Sequence, residues 1–290
     1  MPTVLQHLLR AIGHLPVPGA HRAVWSLQGR LYDPRTAEFE VSFHGMRYRG
    51  RLDDLVDWNI FFFGGYSVKE LDFLAEAARV IAQTAKEVAY FDVGANVGQH
   101  ALFMSRLVTS VVAFEPARSA RERFASNMAL NGLENIRLYP FALGDCDESG
   151  ILGSGFAGNS GSRSLTWTLD QQNTESVEIR RGDDLCRADR LPPMDILKLD
   201  VEGFERRVLS GLRERLLNDR PIVLMELVGD SEKSGFRDAA ELHEALYSEH
   251  ELFTLSSERD AMLAPFDWQA EEVICLPKER VEAFARRISP

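Results

Sequence analysis

The chain has 290 residues, 45% of them hydrophobic and 27% charged, with a formal net charge of −11. This composition supplies a sizeable core and excludes wholesale disorder, and the surplus of 44 acidic over 33 basic residues disfavours nucleic acid as a partner. Cys146, Cys186 and Cys275 stand far apart with no CxxC pair, so neither a disulfide framework nor a structural zinc site is expected, and a reducing cytoplasm fits best.

No apolar run approaches the roughly 20 residues of a membrane span. Val4, Leu5, Leu8, Leu9 and Ile12 recur at helical spacing, without the continuous apolar core or cleavage site of a signal peptide. Such a helix packs on its own domain, or else touches a membrane surface or a second subunit of a homodimer. Pro16, Pro18 and Gly19 end it. Residues 38–44 alternate and 48–52 are extended, with a hairpin turn at His44-Gly45. Residues 1–65 therefore form an N-terminal α/β extension, a helix with a small β-hairpin, and residues 66–290 the main domain. The aromatic stretch 58–65 fills a core or lines a substrate pocket.

The spacing predicts a helix over 68–84, then an alternation. Strands fall at 88–93, 110–114, 136–139, 196–199 and 222–225, and helices at 97–107, 118–130 and around 204–217. Near-continuous apolar strands between helices mark an α/β fold with a parallel sheet covered on both faces. The Gly-, Ser- and Asn-rich stretch 150–173 reads as a long mobile loop, either a lid or a surface excursion. Arg118, Arg121, Arg123, Arg206 and Arg207 read as solvated helix faces. His243-Glu244 lacks the second histidine of a zinc-protease motif, since Tyr247 stands there.

Chemistry concentrates in three blocks. FDVGANVG, 91–98, leaves a strand and opens a helix, so Gly94 and Gly98 permit a tight turn and a helix N-terminus free for an anion. Asp92 can accept from an ammonium. Glu115 closes the next strand about 20 residues on, where a carboxylate meets ribose hydroxyls. Asn96 replaces the second glycine of a dinucleotide fingerprint, and no GxxxxGK[ST] loop occurs. S-adenosylmethionine, a nucleoside without phosphates, needs neither. Asp200 ends a buried strand in LKLDVEGFE, 197–205, and Lys198 lies on the same strand face, so the two either pair or Asp200 and Glu202 face the reacting groups.

These blocks, with NMALNGLEN at 127–135, FALGD at 141–145 and MEL at 225–227, resemble the FkbM family of S-adenosylmethionine-dependent methyltransferases over roughly residues 66–227. The resemblance implies a Rossmann-like seven-stranded class I methyltransferase fold with one antiparallel strand, the last two strands falling at 251–255 and 273–276. It implies O-methylation of a small molecule or glycan, such as a sugar or natural product. It places S-adenosyl-L-methionine against Asp92, Gly94, Asn96, Gly98, Glu115, Ala142 and Asp200. The chain departs from the family at Ser67, where many members carry an acidic residue.

A hydroxyl acceptor needs a base, for which Asp200, Glu202 and Glu226 are the candidates, then His100. The three carboxylates could instead hold a divalent metal, but without a histidine-rich ligand set the metal-free version is favoured. The competing readings are a catalytically inactive binding module on the same fold and a Rossmann-type nucleotide-dependent sugar-modifying enzyme.

Overall fold

The computed structural model describes residues 2, 4–14, 24, 38–154, 163–166, 170–227, 235–247, 249–256 and 261–285. Helix α1 (Val4–Gly13) precedes a hairpin of β1 (Glu38–Phe43) and β2 (Met46–Arg51). His44 and Gly45 turn it at φ 46° and 80°, the left-handed pair that a two-residue connection requires. Helix α2 (Leu55–Phe63) is capped by Asp54, which accepts from the N–H groups of Val56 and Asp57. Helix α3 (Val68–Ile81) leads into β3 (Ala89–Val93), α4 (Gln99–Met104), β4 (Ser110–Phe114), α5 (Arg118–Asn131) and β5 (Ile136–Tyr139). Next come β6 (Ala142–Gly144), β7 (Glu148–Ser154), β8 (Asp170–Arg181), α6 (Gly182–Ala188) and β9 (Ile196–Leu199). The chain continues through α7 (Glu205–Gly211), α8 (Arg213–Asp219), β10 (Ile222–Glu226), α9 (Ala239–Ala245), β11 (His250–Leu255), β12 (Leu263–Pro265), β13 (Glu272–Pro277) and α10 (Lys278–Phe284).

The main sheet runs β12-β11-β13-β10-β9-β3-β4-β5. Its centre is parallel, and β13 lies antiparallel to both β10 and β11. Seven strands include the expected antiparallel one, and β12 adds an eighth at the edge, pairing antiparallel with β11. The expected seven-stranded count is thus one short, because 263–265 is too brief to show alternation. The strands alternate between two cores. Tyr90, Ile196 and Leu224 face α2 and α3, and Phe91, Leu197 and Met225 face Leu209 and Leu216.

The long loop at 150–173 is also corrected. Its ends extend β7 and β8, which pair antiparallel beside β6, and 155–162 and 167–169 lie outside the described residues. The helix around 204–217 is broken into α7 and α8 at Leu212.

Helix α5 holds the N-terminal hairpin as a strand would. Asn127 accepts from Arg49 N–H at 2.8 Å and donates to its carbonyl at 3.0 Å, and Asn131 does the same for Arg47 at 2.9 and 2.7 Å. Arg123 is not on a solvated face: it pairs with buried Asp54 and Asp57, and Asp57 also accepts from the Tyr48 hydroxyl at 2.6 Å. The buried aromatics Trp58, Phe61 and Phe62 fill core, and Leu9 of α1 packs with them, whereas Val4, Leu5 and Leu8 are exposed. Among the described residues no helix is long and apolar enough to cross a membrane.

Candidate active site

The chain turns from β3 to β4 on one side and to β9 and β10 on the other, so the sheet's switch point lies between β3 and β9. Ligands of open α/β sheets bind at the carboxyl ends of strands there. The glycine turn after β3 fills that position. Gly94 sits at φ 85°, and a Cβ on it would stand 1.8 Å from the Asp200 carbonyl oxygen, so the turn and the 200–205 loop can only meet at a glycine. Gly98 at φ 83° packs against the Phe124 ring in the same way. Asn96 between them is left-handed, at φ 50°, a conformation that asparagine tolerates.

Glu115 is fastened to this turn. Its Oε2 accepts from Asn96 N–H and its Oε1 from Ala117 N–H, both at 2.7 Å. Burial pushes its carboxyl up to about 7, against the pull of the two N–H donors. Asp92, near the end of β3, is 1% exposed; the buried Tyr90 hydroxyl lies beside its carboxylate, and neither carboxylate oxygen has an aligned hydrogen-bond partner. Burial raises its carboxyl, with the Lys198 ammonium opposing. A buried carboxylate without a partner is costly unless a ligand supplies one.

Two clefts meet at this turn and share Gly94, Asn96 and Asp200. The first is lined by Glu115, Pro116, Ala142, Leu143, Leu165 and Phe204, a largely apolar slot whose two acids are Glu115 and Asp200. Arg163 and Leu165, inside the stretch 150–173, line this slot, and Ser164 Oγ donates to the Glu202 carbonyl at 2.7 Å. The second cleft is polar and holds Tyr66, Glu70, His100, Lys198, Asp200 and Glu226.

In the second cleft Lys198 Nζ donates to Asp200 Oδ2 at 2.8 Å. The pairing reading is the one the structure bears out, and Asp200 also lines both clefts. Although burial opposes it, Lys198 holds the Asp200 carboxyl below its ordinary range. The charge of Asp200, then burial, raise Glu226 far above its ordinary range, so the two carboxyls do not ionise together. Glu202 stands at φ 53° beside them, and the three side chains each bring an oxygen within 4.8 Å of the others.

Sequence reasoning named His100 as a candidate base but missed Gln99, Glu70 and Glu205, and the contacts that bring these residues together. Gln99 exchanges two hydrogen bonds with the Tyr66 backbone, at 2.6 and 2.8 Å, and so fixes Tyr66 over the cleft. Burial, then Glu226 and Asp200, push the Tyr66 hydroxyl up to about 12. His100 Nε2 comes within 3.2 Å of Glu70 Oε2, an ion-pair distance without hydrogen-bond alignment. Glu205 accepts from Val201 and Gly203 N–H, both at 3.2 Å, and braces the loop that carries Asp200 and Glu202. Only the last was within reach of local pattern; Glu70 and His100 are 30 positions apart and meet through packing.

A sheet in this order, with an apolar slot at its switch point, is the architecture of class I methyltransferases. The profile of the Methyltransferase FkbM domain matches residues 92–253, and the chain belongs to that family. It is 30% identical over 162 residues to Methyltransferase 1 of Beauveria bassiana, covering 48% of this chain and 65% of that protein. It is 26% identical over 155 residues to the hexuronic acid methyltransferase AglP of Haloferax volcanii, covering 52% and 61%. It is 29% identical over 146 residues to the 2-O-methyltransferase NoeI of Sinorhizobium fredii, covering 44% and 59%. The chain thus spans about three fifths of the length of these relatives. Among solved structures, the FkbM methyltransferase of Methylobacillus flagellatus aligns with a TM-score of 0.44 at 13% identity, covering 65% of this chain and 43% of that one.

Proposed function

We propose that the chain is an S-adenosylmethionine-dependent O-methyltransferase acting on a hydroxyl group of a small molecule or glycan. The observation that carries the cofactor is the pair of carboxylates flanking one glycine turn. Asp92 is buried without a partner and suits the methionyl ammonium, and Glu115 is braced by two N–H groups and suits the ribose hydroxyls. Ala142, Leu143 and Phe204 suit an adenine ring. When bound, the cofactor supplies an electrophilic methyl group on a sulfonium.

The hydroxyl acceptor draws support from the relatives named for a hexuronic acid and for 2-O-methylation. Alignment of the acceptor is then the protein's main contribution. Tyr66 and Glu226, which keeps its proton, can hold the acceptor's oxygens. Asp200 is the carboxylate kept ionised, and we assign it the acceptor's proton, with Glu202 beside it. The oxygens of Asp200, Glu202 and Glu226 lie close enough for one divalent cation to span. Lys198 already supplies positive charge at that point, so the metal-free version is the one proposed. Three free cysteines, Cys146 exposed among them, suit the proposed cytoplasmic location.

Calorimetric titration with S-adenosylmethionine, beside a Glu115→Ala variant, tests this reading. The wild type should bind, and the variant should bind about 10- to 100-fold more weakly. A folded wild type that does not bind would return the weight to an inactive scaffold or another nucleotide.

A further inference from the structure

The polar cleft is the acceptor's side of the site by position, not by its charge. It meets the cofactor slot at Gly94, Asn96 and Asp200, and it continues past Ser67, Glu70 and Glu272 into an outer groove of about 330 Å³. Among the described residues this passage gives an acceptor a route to Asp200.

Its lining is one-sided. Six carboxylates face it: Glu70, Asp200, Glu202, Glu226, Glu271 and Glu272. The cationic groups are fewer and already engaged. Lys198 is bonded to Asp200, His100 approaches Glu70, and Lys69 in the outer groove donates to the Ser256 carbonyl at 3.1 Å. Even with Glu226 neutral, the acidic groups outnumber the cationic ones. The strain of that balance shows at Glu272, whose carboxyl is raised by burial and then by Glu70 and Glu271. The lining of the cleft thus repels an anion.

We propose that the acceptor carries a protonated amino group near the hydroxyl to be methylated, as in an amino sugar. The ammonium would sit toward Glu271 and Glu272, at the junction of cleft and outer groove. A hexuronic acid, the acceptor in the name of the Haloferax relative, is an anion that this cleft would disfavour. The proposal rests on the methyl-transfer reading of the site and names the substrate class within it.

The test uses the full chain saturated with S-adenosylhomocysteine, whose binding is first confirmed by calorimetry. Three probes with one ring, methyl glucosaminide, methyl glucoside and methyl glucuronide, are titrated while amide chemical shifts of 66–70 and 271–272 are followed. The glucosaminide should bind about tenfold more tightly than the glucoside, and the glucuronide most weakly, at low salt. The preference should shrink in high salt and in a Glu271→Gln, Glu272→Gln double variant that retains S-adenosylhomocysteine affinity. Equal or tighter binding of the neutral or anionic ring, or no binding of the glucosaminide, would overturn the proposal. Failure to bind S-adenosylhomocysteine at all would instead count against the cofactor assignment.

Discussion

The backbone N–H of Asn96 donates to Glu115 Oε2 at 2.7 Å, so the glycine turn after β3 and the acid after β4 form one unit. The bond fixes where the Glu115 carboxylate can point, and it leaves its remaining lone pairs for the slot. Glu115→Gln keeps the shape but replaces one oxygen by an NH2 group that would face an N–H donor. Affinity for S-adenosylmethionine should fall by about 1–3 kcal/mol. Calorimetry at pH 8, where most of the wild-type carboxyl is ionised, measures the difference; equal affinities would remove Glu115 from ribose recognition.

Asp92 should show stability and binding in opposition. Its two buried oxygens have no partner in the free chain, so Asp92→Asn should leave the free protein more stable by about 1 kcal/mol. The same change should weaken S-adenosylmethionine binding about tenfold or more, since a charge-assisted bond is lost. Denaturant melts and titrations of one preparation read both. A destabilised variant would mean that Asp92 already has a structural partner.

Lys198 is 3% exposed and compensates Asp200 and, through it, Glu226. Lys198→Met should cost about 3–5 kcal/mol, as breaking a buried pair does, and Lys198→Met with Asp200→Asn should cost less than the single change. Urea unfolding of the two variants decides this. A double variant that is the less stable of the two would show that the pair is not the main partner of either group.

Glu205 gives a pH signature. Burial pushes its carboxyl up to about 8 from an ordinary 4.5, so the folded chain binds that proton more tightly than the unfolded chain. The stability it contributes is complete below pH 4.5 and is lost as pH rises toward 8, with a slope on the order of 1.4 kcal/mol per unit. Glu115 and Asp57 slope the same way over narrower windows, so the comparison must be between wild type and Glu205→Gln. The variant should have the flatter profile of unfolding free energy against pH; parallel profiles would show that Glu205 is ionised in the folded chain.

With an acceptor in hand, a chelator should leave turnover unchanged, because Lys198 supplies the charge that a cation would bring to Asp200. Asp200→Asn should bind cofactor and lose turnover by about 100-fold or more. Loss of activity on chelation, restored by a divalent ion, would reassign Asp200, Glu202 and Glu226 as metal ligands.

Much of this was readable from local pattern. The apolar runs of β3, β4, β9 and β10 announce a buried parallel sheet, since a strand covered on both faces cannot alternate. Gly94, Gly98, Glu115 and Asp200 are legible because each ends a strand or opens a helix, and strand ends are where such a sheet binds ligands. The strand character within 150–173 was not legible. Its small polar residues resemble a loop, and pairing with β8, not propensity, makes β7 a strand.

The sequence by itself determined the order of elements and the residues at the strand ends, because both depend on chemistry a few positions apart. Only the tertiary structure decided which charges meet. Glu70 comes to His100, Glu271 and Glu272 come to the mouth of the cleft, and Arg123 goes to Asp54 and Asp57, across separations that no periodicity encodes. The opposite shifts of Glu226 and Asp200 belong to the same class, because burial and neighbouring charge set them, and both exist only once the chain is packed.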